Sequence, residues 1–423
     1  MTASRPLAAP IAGAALGLLV GLPAAAIAQD SATETDTTQH IGKLYDKIQA
    51  SKQRQALTLE RGRDDAHTRY ARAKKQIENS IGISYTVDVS ATAQWGVPDG
   101  GYAPLQALFE PAVNWVLFDD RTIGKGSFQF YYSATQYWSG LTSGAALQGR
   151  LGLNSPVNDY PTNGLSFNQV TYTQDLPGDW LSVSIGQYSF AAGDTNRYAN
   201  NQQTGFLGYA LAQNASQTYS SGSLGGYVEV KPGKQVILAA GVQDANNVSG
   251  SYIQFGTLGQ GSYAWLLYGG FSPTLEGLGR GIYSVIYYSQ PGVWAQPQAS
   301  EGVSFNAMQP LGRHWGVFVR ANTAWGSSFA IQSSIAGGAV YNDPLGRNPL
   351  DQIGLGVAWN RTNTNVYPPT LARPSETMAE FYWNWTLVNG LQITPDIQVF
   401  LQPALAPGQG ATAVFSVRAA LLF

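Results

Sequence analysis

Several segments of the sequence alternate apolar and polar residues, and charged side chains that could bind a polar solute recur on their polar face. Five of them stand in register with polar neighbours and opposite an apolar row: Asp88, Arg320, Glu380, Asp396 and Arg418. Arginine and carboxylate groups offer several donors or acceptors to neighbouring hydroxyls. The simpler interpretation is that these charges keep an interior wet and pair with opposite charges. The sharper hypothesis is that some of them line a constriction and bind the solute.

Tyrosines add a second kind of contact. Tyr131, Tyr283, Tyr287 and Tyr382 fall on the more polar side of their segments. Their ring faces could contact the C–H faces of a solute, and they could equally well serve only to fill volume.

The segment between Phe190 and Gly205 is too long and too polar for a tight turn. It is either an ordinary exterior loop or a loop that folds inward, as loops that carry function often do. Its candidate binding residues are Asp194, Asn196, Arg197, Asn200, Asn201, Gln202 and Gln203.

Enzyme chemistry finds no support in the sequence. There is no cysteine, which removes disulfides, thiol catalysis and Cys-ligated zinc. The three histidines, His40, His67 and His314, stand far apart, so neither a metal cluster nor a Ser-His-Asp arrangement is indicated. Gly124-Lys125-Gly126-Ser127 lacks the upstream glycine of a phosphate loop and precedes an alternating segment. We therefore expect no enzymatic activity and no cofactor.

The elements that must position these side chains are strands. From Ile83 to Trp95 apolar and polar residues alternate, and similar segments follow between turns rich in Gly, Pro, Asn and Asp. Charged residues make up only 12% of the chain, against roughly 25% in ordinary soluble domains. No apolar run beyond the N-terminus is long enough for a membrane-spanning helix.

A soluble β-sandwich would also alternate, but three features favour a transmembrane barrel. No linker divides residues 81–423, although sandwiches of that size normally split into domains. The chain ends in a strand that finishes with Phe423, which would leave an apolar edge in a soluble domain. Aromatic residues crowd the strand ends, as in interfacial girdles; they are Trp95, Trp115, Trp138, Trp180, Trp383 and Trp385. At about 20 residues per strand and connection, we expect an all-β transmembrane barrel of about 16–18 antiparallel strands with an aqueous lumen.

The N-terminus is typical of an export signal. Arg5 precedes an apolar stretch from Ile11 to Leu22, and Ala26-Ile27-Ala28 supplies a small-x-small cleavage site. We expect a signal peptide over 1–28, cleaved after Ala28. The apolar core is too short for a spanning anchor.

Residues 29–80 predict a polar and basic helical segment in the periplasm. Between 40 and 79, ten basic residues face five acidic ones, a net charge of +5, whereas 81–423 carry 13 basic and 18 acidic residues, net −5. A solvated helix is the simplest interpretation, and a coiled coil is poorly specified. The segment could also contact the envelope or anionic headgroups. Nucleic acid is not an expected partner.

Three stretches resemble the OprB family of carbohydrate-selective porins: 227–247 (YVEVKPGKQVILAAGVQDANN), 351–360 (DQIGLGVAWN) and 376–423 (beginning ETMAEFYWNW). Gly205-Phe206-Leu207-Gly208 also looks like the family's segment before its mid-barrel strands. The family's Gly-Asp-Trp-Gly-Gly-like segment is missing; the basic helix and Ser80-Ile81-Gly82 stand in its place.

The resemblance implies a 16-stranded channel in the outer membrane of a Gram-negative bacterium. It further implies passive diffusion of mono- and oligosaccharides into the periplasm, and a homotrimer. The pore-lining candidates are then Asp88, Tyr131, Asp194, Arg197, Arg320, Glu380, Tyr382, Asp396 and Arg418. Three alternatives stay open: a general or ion-selective porin, a pore that exports a polysaccharide, and a barrel that tethers the envelope through residues 40–79.

Overall fold

A computed structural model gives the fold and describes residues 40, 42–60, 65–98, 101, 103–138, 142–194, 196–217, 219–326, 328–388 and 390–423. The expected signal peptide over 1–28 falls outside these residues, so its cleavage stays a prediction. From residue 40 onward, the described residues form one compact unit.

The first strand shows why this sequence makes a barrel with a polar interior. In β1 (Ile83–Val97) the buried residues are the polar ones, such as Asp88, Thr92 and Gln94, while Val87 and Val89 lie on the other face. A soluble strand would bury the opposite set. The alternation therefore directs its polar face inward and its apolar face toward lipid, as transmembrane barrels require.

Within the described residues, sixteen antiparallel strands close into one barrel, which confirms the expected fold class. Closure comes from β1 pairing with the last strand, β18 (Ala411–Leu422), in a register that runs from Asp88 opposite Leu422 to Val97 opposite Ala413. No barrel edge is left unpaired. The other barrel strands are β2 (Leu105–Asp120), β3 (Gly124–Tyr137), β4 (Gly164–Asp175), β5 (Leu181–Tyr188), β6 (Ser223–Val230), β7 (Val236–Asp244), β8 (Tyr263–Phe271), β11 (Ile282–Gln290), β12 (Ser300–Leu311), β13 (Trp315–Trp325), β14 (Ile331–Asn342), β15 (Gln352–Thr362), β16 (Ser375–Val388) and β17 (Leu391–Leu401).

The two ends of the barrel differ in their connections. One end carries short turns such as 121–123 and 312–314, together with a small hairpin of β9 (Thr274–Leu275) and β10 (Gly279–Arg280). The other end carries the two longest connections, 138–163 and 189–222. Short turns face the periplasm in bacterial barrels and longer loops face outward.

The outer surface is apolar and has an aromatic band at each end. On β15, Leu355, Val357 and Trp359 alternate as exposed residues. Exposed tryptophans gather at both barrel ends: Trp95, Trp138 and Trp325 toward the long connections, and Trp115, Trp180 and Trp315 toward the short turns. Rings in these places suit the headgroup layers on either side of the hydrocarbon.

Two helices precede the barrel, α1 (Lys43–Glu60) and α2 (Ala66–Ile81). The Asp65 side chain accepts a hydrogen bond from Thr68 N (2.8 Å) and caps α2 at its start. Gly82, at φ 73°, ends α2 in the left-handed region and turns the chain into β1. Among the described residues, no helix has both the length and the hydropathy to cross a membrane.

The expectation of a solvated helix is wrong for α1. Leu44, Lys47 and Ile48 are buried, and Leu44 and Ile48 pack with Ala112 and Tyr131 of the barrel wall. The helix therefore lies within the barrel, where the wall supplies partners for its basic side chains. The boundaries at 28 and 80 stay predictions.

The long connections also fold into the barrel. Connection 138–163 contains α3 (Gly144–Leu151), and connection 189–222 contains α4 (Tyr209–Ala212). Phe206 packs its ring at 4.9 Å from Tyr382 and 5.5 Å from Phe318 on the inner wall. One side of the barrel interior is therefore an apolar core like that of a soluble domain.

Candidate functional site

A cavity of about 510 Å³ opens between the inward connections, and we call it the vestibule. It extends from the long-connection end of the barrel, where Phe329 lines it, down to Tyr131 and Gln169 in the middle of β3 and β4. The first residues of α1, Lys43 and Leu44, line its inner end. Its size falls within the roughly 300–1,000 Å³ of small-molecule sites.

The vestibule is lined mainly by neutral polar groups and tyrosine rings. Among its lining residues only Lys43 and Asp159 are charged, and they lie 3.6 Å apart as an ion pair. The neutral polar and aromatic lining residues include Gln148, Asn154, Gln169, Gln213, Gln217, Gln296, Tyr131, Tyr160, Tyr209 and Tyr219.

Four of the lining residues carry a buried polar atom that has no hydrogen-bond partner among the described residues: Asn154 Oδ1, Gln217 Oε1, Tyr219 Oη and Gln296 Nε2. Buried polar atoms are normally hydrogen-bonded to protein or to water. These four positions are therefore places where a solute or water can supply the missing bonds.

Below the vestibule, two wall carboxylates hold α1. Asp88 and Glu110 stand directly opposite each other on β1 and β2, a like-charge arrangement that is unfavourable alone. Lys47 Nζ lies 3.1 Å from Asp88 Oδ2 and 3.0 Å from Glu110 Oε2. Arg54 adds a contact of 3.3 Å to Asp88. Burial alone would lower the pKa of Lys47, but Glu110 and Asp88 outweigh it and raise that pKa, so the lysine stays charged.

The phenols of the vestibule connect to the same carboxylates. Tyr160 Oη donates a hydrogen bond to Glu110 Oε1 at 2.7 Å, and Tyr131 Oη donates to the same oxygen. The floor of the vestibule and the attachment of α1 are therefore one hydrogen-bonded network.

A second attachment lies at the start of the helical segment. The imidazole of His40 lies 3.2 Å from Asp175 and 2.9 Å from Glu229, on β4 and β6. Burial opposes protonation, but the carboxylates of Glu229 and Asp175 outweigh it and raise the pKa of His40.

Two buried arginines fix the connection 189–222 to the wall. Arg320 donates to Leu211 O at 2.9 Å and to Asn200, with Asp194 at 3.7 Å. Arg418 donates to Gly205 O at 2.9 Å and to Gln202 O. Both side chains are fully buried. These arginines therefore act on the loop backbone and are not exposed to a water column.

Two glutamates of β16 fix the inward connections through backbone N–H groups. Glu380 accepts hydrogen bonds from Leu207 N (2.5 Å) and Gly208 N (2.8 Å). Glu376 accepts from Asn154 N (3.1 Å), Ser155 N (3.2 Å) and Ala404 N (2.9 Å). Because residues 376 and 380 point to the same face of the strand, one strand holds both connections.

The structure brings the nine residues expected to line the pore into four settings. Asp88 holds α1, and Tyr131 lines the vestibule. Arg197 is exposed beside the ring of Tyr198. The remaining six are buried: Asp194, Arg320, Glu380, Tyr382, Asp396 and Arg418. Asp194 belongs to the connection 189–222, Arg320, Glu380 and Arg418 bond to it, and Tyr382 packs against its Phe206. Asp396 stands opposite Tyr382 on the neighbouring strand. A direct role for any of them in binding solute stays a prediction.

Two further expectations need comment. Tyr283 and Tyr287 do not line the lumen, because β11 directs Ser284, Ile286 and Tyr288 inward. The segment 190–205 folds inward, which is one of the two arrangements that its composition allowed; Asn196, Asn200, Gln202 and Gln203 are buried there.

Five residues of the site were not predicted from the sequence: Lys43, Lys47, Glu110, Asp159 and Glu376. One signal for the first three was present: the helical segment and the barrel carry opposite net charges. Such a difference predicts attraction between the two parts. Nothing in the local sequence marks connection 138–163, with Asp159, as inward-folding.

The chain resembles known porins along most of its length. A family model described as carbohydrate-selective porin, OprB family, matches residues 285–423. Porin AaxA of Chlamydia abortus is 35% identical over 351 residues, covering 81% of this chain and 78% of that protein. Porin AaxA of Chlamydia pneumoniae is 33% identical over 354 residues, covering 82% and 80%. In fold, the chain resembles the high-pH structure of Pseudomonas putida OprB, with a TM-score of 0.68, 16% identity, and coverage of 84% of this chain and 97% of that chain.

The chain therefore belongs to the OprB family of porins. It is a β-barrel channel of the bacterial outer membrane and not an enzyme, as expected from the sequence. The expected homotrimer stays a prediction.

Proposed function

We propose that the channel passes neutral sugars by passive diffusion and that the vestibule binds them on the way. The main support for this proposal is the set of residues that line the vestibule. Its one opposite-charge pair, Lys43 and Asp159, leaves it without net charge among the lining residues, and amides and phenols supply the remaining polar contacts. Such a lining favours a neutral polyhydroxyl solute over an ion.

The unpartnered atoms specify the kind of contact. Asn154 Oδ1 and Gln217 Oε1 are acceptors, Gln296 Nε2 is a donor, and Tyr219 Oη can donate or accept. Sugar hydroxyls are both donors and acceptors, so they can satisfy all four. The rings of Tyr209 and Tyr219 offer apolar faces to the C–H faces of the same solute. The description of the matched family as carbohydrate-selective supports the same class of permeant.

The test is permeation by solutes of matched size. We expect vesicles carrying the protein to swell faster in mono- and disaccharides than in zwitterionic amino acids of similar mass. In a planar bilayer, a sugar that occupies the vestibule should reduce the KCl current in a saturable way. Equal swelling in all solutes and a current indifferent to every sugar would instead favour a general porin.

Tyr219→Phe sharpens this test because it removes one hydroxyl and keeps the ring. We expect the sugar concentration for half-maximal block to rise about fivefold, since one net hydrogen bond contributes about 1 kcal/mol. The matched control is Tyr252→Phe, a tyrosine exposed outside the vestibule. An unchanged half-maximal concentration in Tyr219→Phe would exclude the hydroxyl from the site.

A further inference from the structure

The helix α1 lies between the vestibule and the short-turn end of the barrel. Its first residues, Lys43 and Leu44, line the inner end of the vestibule, and Lys47 and Arg54 reach the wall below it. An α-helix with side chains is about 10–12 Å across, which is a large part of a 16-stranded lumen. A solute that leaves the vestibule toward the periplasm must pass this helix.

Charge complementarity holds α1 in place. The helix presents Lys43, Lys47 and Arg54 to the carboxylates Asp159, Asp88 and Glu110. Without the helix, Asp88 and Glu110 would face each other across two neighbouring strands without Lys47 and Arg54, the two countercharges that α1 supplies. The wall therefore carries an acidic site made for a basic segment of this same chain.

The apolar contact of α1 is small. Leu44 and Ile48 pack with Ala112 and Tyr131, and Tyr45 lies beside them. The connections 138–163 and 189–222, in contrast, share an extended apolar core with the wall. The helix is also joined to β1 only through α2, so it can leave the lumen and stay attached.

We propose that α1 is a plug, held by the ion pairs of Lys47, that sets both the size limit and the ion selectivity of the channel. With α1 docked, Lys47 and Arg54 together balance the charges of Asp88 and Glu110, and the passage is narrow. With α1 released, the passage is wide and its wall is acidic. The released channel should therefore conduct more and should prefer cations.

The test is to reverse the charge of Lys47, the residue whose ion pairs hold α1. Lys47→Glu places a third carboxylate against Asp88 and Glu110, which should expel the helix. We expect the KCl conductance to rise about two- to threefold, given the share of the lumen that a helix fills. We also expect the reversal potential in a KCl gradient to shift toward cation selectivity, and larger oligosaccharides to enter vesicles. Lys75→Glu is the matched control, because Lys75 is exposed on α2 and the charge change is the same.

A cross-link separates release of the plug from damage to the barrel. The chain has no cysteine, so Lys47→Cys with Glu110→Cys gives two unique thiols. We expect this variant to show the raised conductance when reduced, and wild-type conductance after a short bifunctional thiol reagent joins the two positions. Folding of the barrel is checked in each variant by its heat-modifiable mobility on gels.

Two results would overturn the proposal. One is a folded Lys47→Glu channel with the conductance, size limit and selectivity of Lys75→Glu. The other is a double-cysteine channel whose raised conductance the cross-link leaves unchanged. The conductance and the reversal potential are measured in KCl without sugar, so these two readouts are separate from failure of sugar binding in the vestibule.

Discussion

Two parts of the chain fill the barrel interior: the inward connections and the helix α1. Different interactions hold them against the wall. The inward connections pack an apolar core against the wall and are fixed by buried Arg320, Arg418, Glu376 and Glu380. The helix α1 has a small apolar contact and is held by charge pairs. Apolar packing forms part of the folding energy of the barrel, whereas charge pairs can separate once water reaches both partners. The connections are therefore a permanent constriction and α1 a removable one.

The largest expected effect is on the connections. Arg320→Met removes the charge that faces Asp194 and the donor to Leu211 O, and it leaves a buried carboxylate without its partner. We expect the free energy of unfolding to fall by about 3–5 kcal/mol. Urea titration of the protein in detergent, followed by gel mobility, measures it.

The exposed Arg313→Met serves as the control and should change stability by less than about 0.5 kcal/mol. An Arg320→Met barrel that is as stable as wild type and conducts more would contradict this difference. The connection 189–222 would then leave the lumen without unfolding the barrel, as we propose for α1.

A smaller loss is expected at Glu376. Glu376→Gln replaces a carboxylate that accepts three backbone hydrogen bonds by an amide with one acceptor oxygen. Hydrogen bonds to charged groups contribute about 1.5–3 kcal/mol, so we expect a loss of about 2 kcal/mol. The same urea titration measures it, with exposed Glu301→Gln as the control. Equal stability of the two variants would show that this carboxylate does not hold the connections.

Close packing between wall and connection gives a third test. A Cβ at Gly316 would lie 2.4 Å from the ring of Tyr198, which belongs to the connection 189–222. Gly316→Ala should therefore push the ring away and cost about 1–2 kcal/mol of unfolding free energy. A Cβ at Gly408 would meet no other described residue within 4 Å apart from its two chain neighbours, so Gly408→Ala is the control. Should Gly316→Ala raise conductance at unchanged stability, the packing would not be a permanent constriction.

The sequence predicted the barrel well because alternation is a local signal that repeats in every strand. It also placed Asp88, Arg320, Glu380 and Arg418 on the inward face. Their partners lie far along the chain: Arg418 meets Gly205, and Glu380 meets Leu207. Alternation along a strand shows which side chains point inward, but it does not show which distant part of the chain they meet. Residues expected at a water-filled wall therefore prove to hold α1 or the connection 189–222. The position of α1 was missed because its composition suits solvent equally well.

The smallest expected effect is the response of α1 to pH. The pKa of His40 is raised, although burial opposes this, because the carboxylates of Glu229 and Asp175 favour the charged ring. A raised pKa means that His40 stabilises docking fully below its unfolded value of about 6.5 and less as the pH rises through the folded value. Asp46 acts in the same direction: burial raises its pKa to about 6 against Arg197 and Lys43.

We therefore expect the KCl conductance to rise modestly from pH 5 to pH 7.5 as α1 loosens. Tyr45, whose ring stacks on His40, stays neutral over this range because burial raises its pKa well above the ordinary value of about 10. Lys231 also faces His40, and burial lowers the pKa of this lysine. Burial lowers the pKa of Lys74 to about 8, just beyond the range. His40→Gln should remove most of this rise in conductance with pH, and Asp46→Asn should remove the rest. A conductance that falls with rising pH, or a slope that both substitutions leave intact, would mean that these groups do not hold the helix. The difference between the packed connections and the ion-paired helix would then depend on Lys47 alone.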